Sequence, residues 1–242
     1  IAVAGDFETA AMLERISELF APIPAGSEPP RRFRPEPPQR GEHRLMVEGL
    51  DDTAFVEVLY RAPKAVDDDF FPFMVLDSLL AGPSGLNMFG GGISNKTSSL
   101  YKKLIEGDLA VGVSGGLPAT IDPYGYHLTV TVHPERKPDE VILALDEEIE
   151  RVQQEPPSVE AVARAVKQAR ALFAYGSESI TNQGFWMGFS EMFASYEWFN
   201  AYLERLAAVT PDDVQRIAQT YLVPRNRVVG TYVPMNNTEV SA

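Results

Sequence analysis

The stretch GGGISNKTSSLYKKLIE, residues 90–106, joins two kinds of structure. Gly90, Gly91 and Gly92 permit a tight turn and a close backbone approach. Ser98 then opens a run with Leu100, Leu104 and Ile105 on one side, which predicts a helix over Ser98–Glu106. The wider loop, Gly82–Ser94, ends near Lys96 and Thr97 and invites a phosphate-binding reading. It fails that test twice. Asn95 stands where a glycine must precede the lysine, and the loop follows a helix instead of a strand. A glycine-rich turn feeding a short helix is what remains.

Working outward, the flanking segments alternate between the two periods. Upstream, Asp67–Ala81 reads as a helix whose acidic first turn (Asp67, Asp68, Asp69) suits the helix dipole, with Pro72 near its start. Before it, Ala54–Tyr60 puts Ala54, Val56, Val58 and Tyr60 on one face of a strand, and His43–Glu48 alternates weakly. Downstream, Leu109–Gly115 and Tyr124–His133 read as strands. In the second, Tyr126, Leu128, Val130 and Val132 alternate against His127, Thr129, Thr131 and His133. Helices follow over Pro138–Gln154, from Ser158 to about Tyr175, and within the aromatic-rich Ser177–Leu206. Thr210-Pro211-Asp212-Asp213 is a strong helix start, and Arg227–Val233 is a closing strand. This order predicts an α+β fold: one mixed, mostly antiparallel sheet with helices packed on one face.

The N-terminal part differs in kind. Ile1–Ala4 reads as a buried strand and Thr9–Phe20 as a helix with Met12, Leu13, Ile16, Leu19 and Phe20 at helical spacing. Residues 22–41 then hold seven prolines and four arginines, so they read as an extended linker. The opening at Ile1, with a strand already under way, is read as that of a fragment that has lost its upstream part and any targeting signal.

Composition narrows the function classes. The chain has 242 residues, 45% hydrophobic and 23% charged, enough to bury a core without a metal or disulfide. Its 34 acidic against 21 basic residues give a formal charge of −13, the wrong sign for binding nucleic acid through phosphates. No cysteine is present, which excludes disulfides, thiolate metal sites and cysteine nucleophiles. No apolar run is long enough for a membrane span.

Candidate chemistry is sparse. The histidines are His43, His127 and His133, with no H-x-x-E-H spacing. His127 and His133 lie six apart on one predicted strand, about 20 Å by strand geometry, too far to share an ion. No G-x-S-x-G elbow exists, so Ser84, Ser94, Ser98 and Ser99 read as loop and capping residues. Asn95-Lys96-Thr97 and Asn236-Asn237-Thr238 match the short glycosylation pattern, which carries little weight by itself. The aromatic run from Phe185 to Tyr202 reads as a helical core stripe, with a partner interface as the alternative.

In this frame, residues 90–106 resemble the G-x-x-S-R-L-Y-x-x-L-[VR]-E segment of insulinase/pitrilysin-type zinc metallopeptidases, the family of the mitochondrial processing peptidases. The matching positions are Gly91, Gly92, Ser99, Leu100 and Tyr101. Other pieces agree in order. Ala2–Phe7 is similar to the V-V-G-D-F strand closing the family's first domain, and Val58–Pro63 to the strand opening its second. Thr210–Val214 and Val228–Gly230 resemble its late helix and last strand.

The resemblance implies a pair of related α+β domains closing as a clam-shell on an extended peptide. Zinc sits in the first domain on an H-x-x-E-H helix, whose Glu is the general base. Residues 1–22 would be the tail of that first domain, 23–41 a Pro-rich linker, and 42–242 the C-terminal, non-zinc domain. Zinc is then expected in an N-terminal domain of the parent and not in this chain, which alone is expected to be inactive. Implied partners are a peptide substrate, the N-terminal domain and a related subunit in a homo- or heterodimer. The compartment is unknown, with bacterial periplasm and cytoplasm both open. Many relatives supply a substrate-binding Arg and Tyr from this domain. Those positions are Ile105 and Val111 here, with one residue fewer between them, so both polar groups are gone. The alternative expectation is therefore a non-catalytic scaffold subunit of the same fold.

Overall fold

The computed structural model describes residues 1–30, 36–83 and 96–235. Gly90, Gly91 and Gly92, and the asparagines of both glycosylation patterns, lie outside these residues. The elements run α1 (Thr9–Phe20), β1 (His43–Gly49), β2 (Phe55–Ala62), α2 (Phe70–Leu80), a π-turn (Tyr101–Ile105), β3 (Ala110–Gly116) and β4 (Tyr124–Val132). Then come α3 (Pro138–Gln154), α4 (Val159–Gly176), α5 (Ile180–Phe193), α6 (Tyr196–Asn200), α7 (Tyr202–Ala207), α8 (Pro211–Tyr221) and β5 (Arg227–Pro234).

The strands form one sheet in the order β1-β5-β2-β4-β3. Only β1 and β5 are parallel; the other pairs are antiparallel. Alternation decides which face is buried. Val56, Val58, Tyr60 and Ala62 of β2 and Tyr126, Leu128, Val130 and Val132 of β4 point into the core, each 3% exposed or less. Their alternates face outward, and Phe55 and Leu59 remain 37% and 39% exposed. Helices α2, α3 and α8 cover the inner face. Each fully buried aliphatic side chain there contributes about 1.5–3 kcal/mol.

The helix ends follow local chemistry. Thr210 Oγ1 accepts the Asp213 N–H at 3.2 Å while Asp213 Oδ2 accepts the Thr210 N–H at 3.0 Å, and Pro211 takes the first helical position of α8. Ser158 caps α4 by accepting the Ala161 N–H at 3.1 Å. The aromatic run packs as core: Trp186, Phe193, Trp198, Phe199 and Tyr202 are buried, and Trp198 Nε1 donates to the Ala65 carbonyl at 2.9 Å.

Two expectations change. Ile1–Ala4 makes no strand ladder: it is largely exposed, with Ala2 and Ala4 lying over Gly188 and Gly184 of α5. An apolar run becomes a strand only beside a partner edge, and no strand of this sheet lies next to it. Helix α2 begins at Phe70, because Asp67 and Asp69 spend their carboxylates on other groups. Asp67 accepts the Lys64 N–H at 3.3 Å, and Asp69 binds Arg216 at 2.6 Å and the Tyr221 hydroxyl at 2.8 Å, tying α2 to α8. Helix α1 forms as expected, yet none of its residues is buried, so its apolar stripe has no cover among the described residues.

One buried cation joins distant parts of the chain. Arg227, at the start of β5, is 5% exposed. Its guanidinium pairs with Asp146 of α3 and Glu42 ahead of β1, and donates to the Tyr60 hydroxyl at 3.3 Å. Its carbonyl accepts from Gln39 at 2.6 Å, which seats the chain entering β1. Burial opposes the charge on Arg227, but the hydrogen bonds to Asp146, Tyr60 and Glu42 outweigh it and hold its pKa above the usual value. Burial likewise raises the Glu42 carboxyl, and the hydrogen bonds from Arg44 and Arg227 reverse this, leaving it below the usual range.

Arg227→Met should destabilise the fold by about 3 kcal/mol, the low end for breaking a buried pair because both carboxylates keep some solvent access. Urea unfolding measures this. Glu42 is depressed on folding, so its contribution is present above the unfolded pKa of about 4.3 and is lost as pH falls through the lower folded value. The acid limb of the wild-type stability curve should therefore be steeper than that of Glu42→Gln.

Candidate functional site

The family-like segment builds one corner of the sheet. Leu100 and Leu104 are fully buried and hold the segment in the core. Ser98 caps the turn, accepting the Tyr101 N–H at 3.3 Å. The expected helix then widens: the Glu106 N–H bonds the Tyr101 carbonyl at 3.2 Å and the Leu109 N–H the Leu104 carbonyl at 2.8 Å. These five-residue spacings make a π-turn, a local feature that often marks functional sites. Asp108 follows with φ +54°, a left-handed conformation uncommon for a residue with a side chain. Its carbonyl is held by Arg136 Nε at 3.1 Å, and Lys103 ties the turn to Glu147 of α3 at 2.7 Å.

The chain enters β3 through a bulge between Ala110 and Gly112, opposite Val132 and Thr131. The bulge places Val111, which is 57% exposed, while Ile105 stays half-buried against the core. Tyr101 is also half-buried on the core, and Ser99 is partly buried beside it. Thus Ser99, Leu100, Tyr101 and Ile105 form one continuous turn, and Val111 lies just beyond it on the strand.

Among the described residues β4 is the one strand paired with β3, which puts β3 at one end of the sheet. Its sequence Ala110-Val-Gly-Val-Ser-Gly-Gly116 carries no charge and no proline. Natural edges are usually guarded by charge, proline or a covering element, and this one has neither of the first two. The other edge, β1, carries His43, Arg44 and Glu48. Two glycines let β3 lie close to its surroundings. A Cβ on Gly115 would strike the Asp77 carboxylate and sit 2.7 Å from Ala81 Cβ. A Cβ on Gly116 would sit 2.6 Å from the His127 ring. Buried Asp77 thus lies with the Tyr126 hydroxyl directly over Gly115. Burial, and then the Asp77 charge, push that hydroxyl well above the usual tyrosine pKa.

A strand at the end of a sheet is a place where an extended chain can add through main-chain hydrogen bonds. This arrangement does not fit a zinc ion: among the described residues no three His, Cys, Asp or Glu side chains group to hold a metal. His127 lies over Gly116 on the sheet, while His43 opens β1 at the far edge. No helix among the described residues is long and apolar enough to cross a membrane. Sequence reading missed the Asp77–Gly115 contact and Arg227; a charged residue opening an apolar strand was the available signal for the latter.

Comparison with known proteins adds a family. Residues 1–169 match the profile described as the peptidase M16 inactive domain. The fold is similar to that of a protease from Helicobacter pylori, with TM-score 0.84 and 16% identity over 96% of this chain and 54% of that one. It is also similar to a peptidase M16 inactive domain from Pseudomonas fluorescens, with TM-score 0.77 and 14% identity over 96% and 52% of the two chains. A candidate zinc protease from Bordetella pertussis Tohama I shares 25% identity, with TM-score 0.65 over 75% and 94% of the chains. The chain spans about half the length of the Helicobacter pylori protease. No curated protein matches it.

Gly115→Ala should cost about 1–3 kcal/mol by overpacking against Asp77, Ala81 and Tyr126. Gly112→Ala should cost less, since its nearest neighbour, Thr131 Oγ1, is 3.5 Å from the added methyl. Thermal unfolding of the two variants side by side checks this order.

Proposed function

Because the chain belongs to the peptidase M16 family and matches its inactive domain, we propose that it is the C-terminal, non-zinc domain of a zinc metalloendopeptidase and one wall of its peptide chamber. The wall's work is positioning. The observation that carries this reading is the place of β3 at one end of the sheet, uncharged and beside the family-motif turn, while β1 at the other end is charged. An extended peptide adding to β3 would be held by main-chain bonds that ignore its sequence. The zinc-bound water and its general base belong to the paired N-terminal domain, which this domain meets across the chamber. The parent's substrates, and any related subunit in a homo- or heterodimer, belong to the same proposal. So do the boundaries: a first-domain tail over residues 1–22, a linker over 23–41 and the inactive domain from 42.

A second reading is favoured by one observation. Ile105 and Val111 stand where many relatives place a polar pair that grips substrate, and Val111 lies exposed on the very strand in question. Such a domain suits a scaffold or non-catalytic subunit, whose partner supplies the polar grip.

A lysine on the edge separates the two. In the intact parent, Val111→Lys and Ser114→Lys should raise KM for unstructured peptides about tenfold, roughly 1.4 kcal/mol, with kcat little changed. Unchanged KM in both variants would exclude peptide addition at β3. The chain alone should neither bind zinc stoichiometrically nor cleave peptides; atomic absorption after dialysis and a quenched-peptide assay test both.

A further inference from the structure

We propose that the cavity between the π-turn, the C-terminal end of α3 and the first turns of α4 binds a small phosphate monoester. The site is separate from the β3 edge and goes beyond the peptidase reading. The cavity measures about 520 Å³, within the usual range for small-molecule sites. Its lining brings together Lys102, Lys103, Arg151 and Arg164 against two carboxylates, Glu148 and Glu155. That leaves an excess of positive charge on a chain whose overall charge is −13.

The pairing within the cavity shows which cations are free. Arg151 forms a two-pronged contact with Glu148, at 2.7 and 3.0 Å. Lys103 is engaged by Glu147 at 2.7 Å, outside the lining. Lys102, from the π-turn, and Arg164, from α4, have no carboxylate partner among the described residues. They come from different elements and face one cavity, so an incoming anion can bridge them. Two unpaired cations suit a dianion better than a carboxylate, and a phosphate monoester carries about −1.5 to −2 near neutral pH. Arg in particular matches phosphate through its fork of N–H donors.

The floor is apolar, from Leu79, Val152 and Ala161, which suits the organic part of an ester. Among the described residues no aromatic side chain lines the cavity to stack on a base or an aromatic ring. The N-terminal end of α4 is already occupied. Its own Glu160 carboxylate already takes the Glu160 N–H and the Ser158 hydroxyl, which lower its pKa. The recognition rests on the side chains of Lys102 and Arg164.

Calorimetric titration of the protein with inorganic phosphate and with n-butyl phosphate, at ionic strength fixed by sodium chloride, tests the site. Both probes should bind saturably, n-butyl phosphate the more tightly. Lys102→Ala and Arg164→Ala should each weaken n-butyl phosphate at least tenfold. Both side chains are exposed and unpaired, so circular dichroism should show the fold retained. Glu155→Gln should tighten binding severalfold by removing a competing charge. Absence of saturable binding at millimolar probe, equal affinity for the two probes, or affinity indifferent to both alanine variants would overturn the proposal.

Discussion

Everything in this sheet depends on where Arg227 can put its charge. A buried guanidinium is unfavourable unless carboxylates and acceptors surround it. Here those groups come from Asp146, 81 residues earlier, from Tyr60, 167 earlier, and from Glu42, 185 earlier. The chain can satisfy them only with β5 lying between β1 and β2 and with α3 packed across the same end of the sheet. Neighbouring bonds point to the same corner. Gln39 holds the Arg227 carbonyl, Asn226 donates to the Arg61 carbonyl at 3.0 Å, and Arg61 donates to the Pro37 and Glu36 carbonyls. The last strand, the second strand and the proline-rich approach to the first are thereby locked into one register.

Placing β5 inside the sheet determines which strands are edges. The first strand becomes one edge, exposed on both faces, with Leu45, Met46 and Val47 at least 50% exposed. Its charges guard it against adding another strand. The strand that follows the glycine-rich loop becomes the other edge. There, Asp77 and His127 crowd Gly115 and Gly116, so packing requires glycine at these two positions. The uncharged stretch of β3 next to the family-motif turn is in that measure built into the fold.

How much of this was legible depended on the range of the interaction. Period-two alternation marked the buried faces of β2 and β4 residue by residue, because it reports a local choice between two sides. The start of α8 was equally plain, since Thr210, Pro211 and Asp213 act within one turn. The π-turn was read as an ordinary helix, because Leu100, Leu104 and Ile105 fit either spacing. The bulge at Val111 left no mark in a strand rich in glycine. Arg227 itself stood out as a charge opening an apolar strand, but its partners did not, for they lie far away in sequence and nothing local selects them. At the N-terminus the logic reversed. Apolar residues in Ile1–Ala4 and α1 signalled burial that the described residues do not supply.

Ile105 and Val111 show how fold and side-chain chemistry separate at this corner of the sheet. The turn that carries residue 105 is anchored by Leu100 and Leu104 in the core, and the strand that carries 111 by its ladder with β4. Neither anchor uses the side chain at 105 or 111 to hold the backbone in place. Either position could exchange a polar for an apolar side chain with the scaffold intact, since Val111 faces solvent and Ile105 merely adds apolar contact to the core surface. The backbone and its place at the end of the sheet do not depend on which uncharged side chain stands there, so one scaffold can carry different side-chain chemistry at this corner.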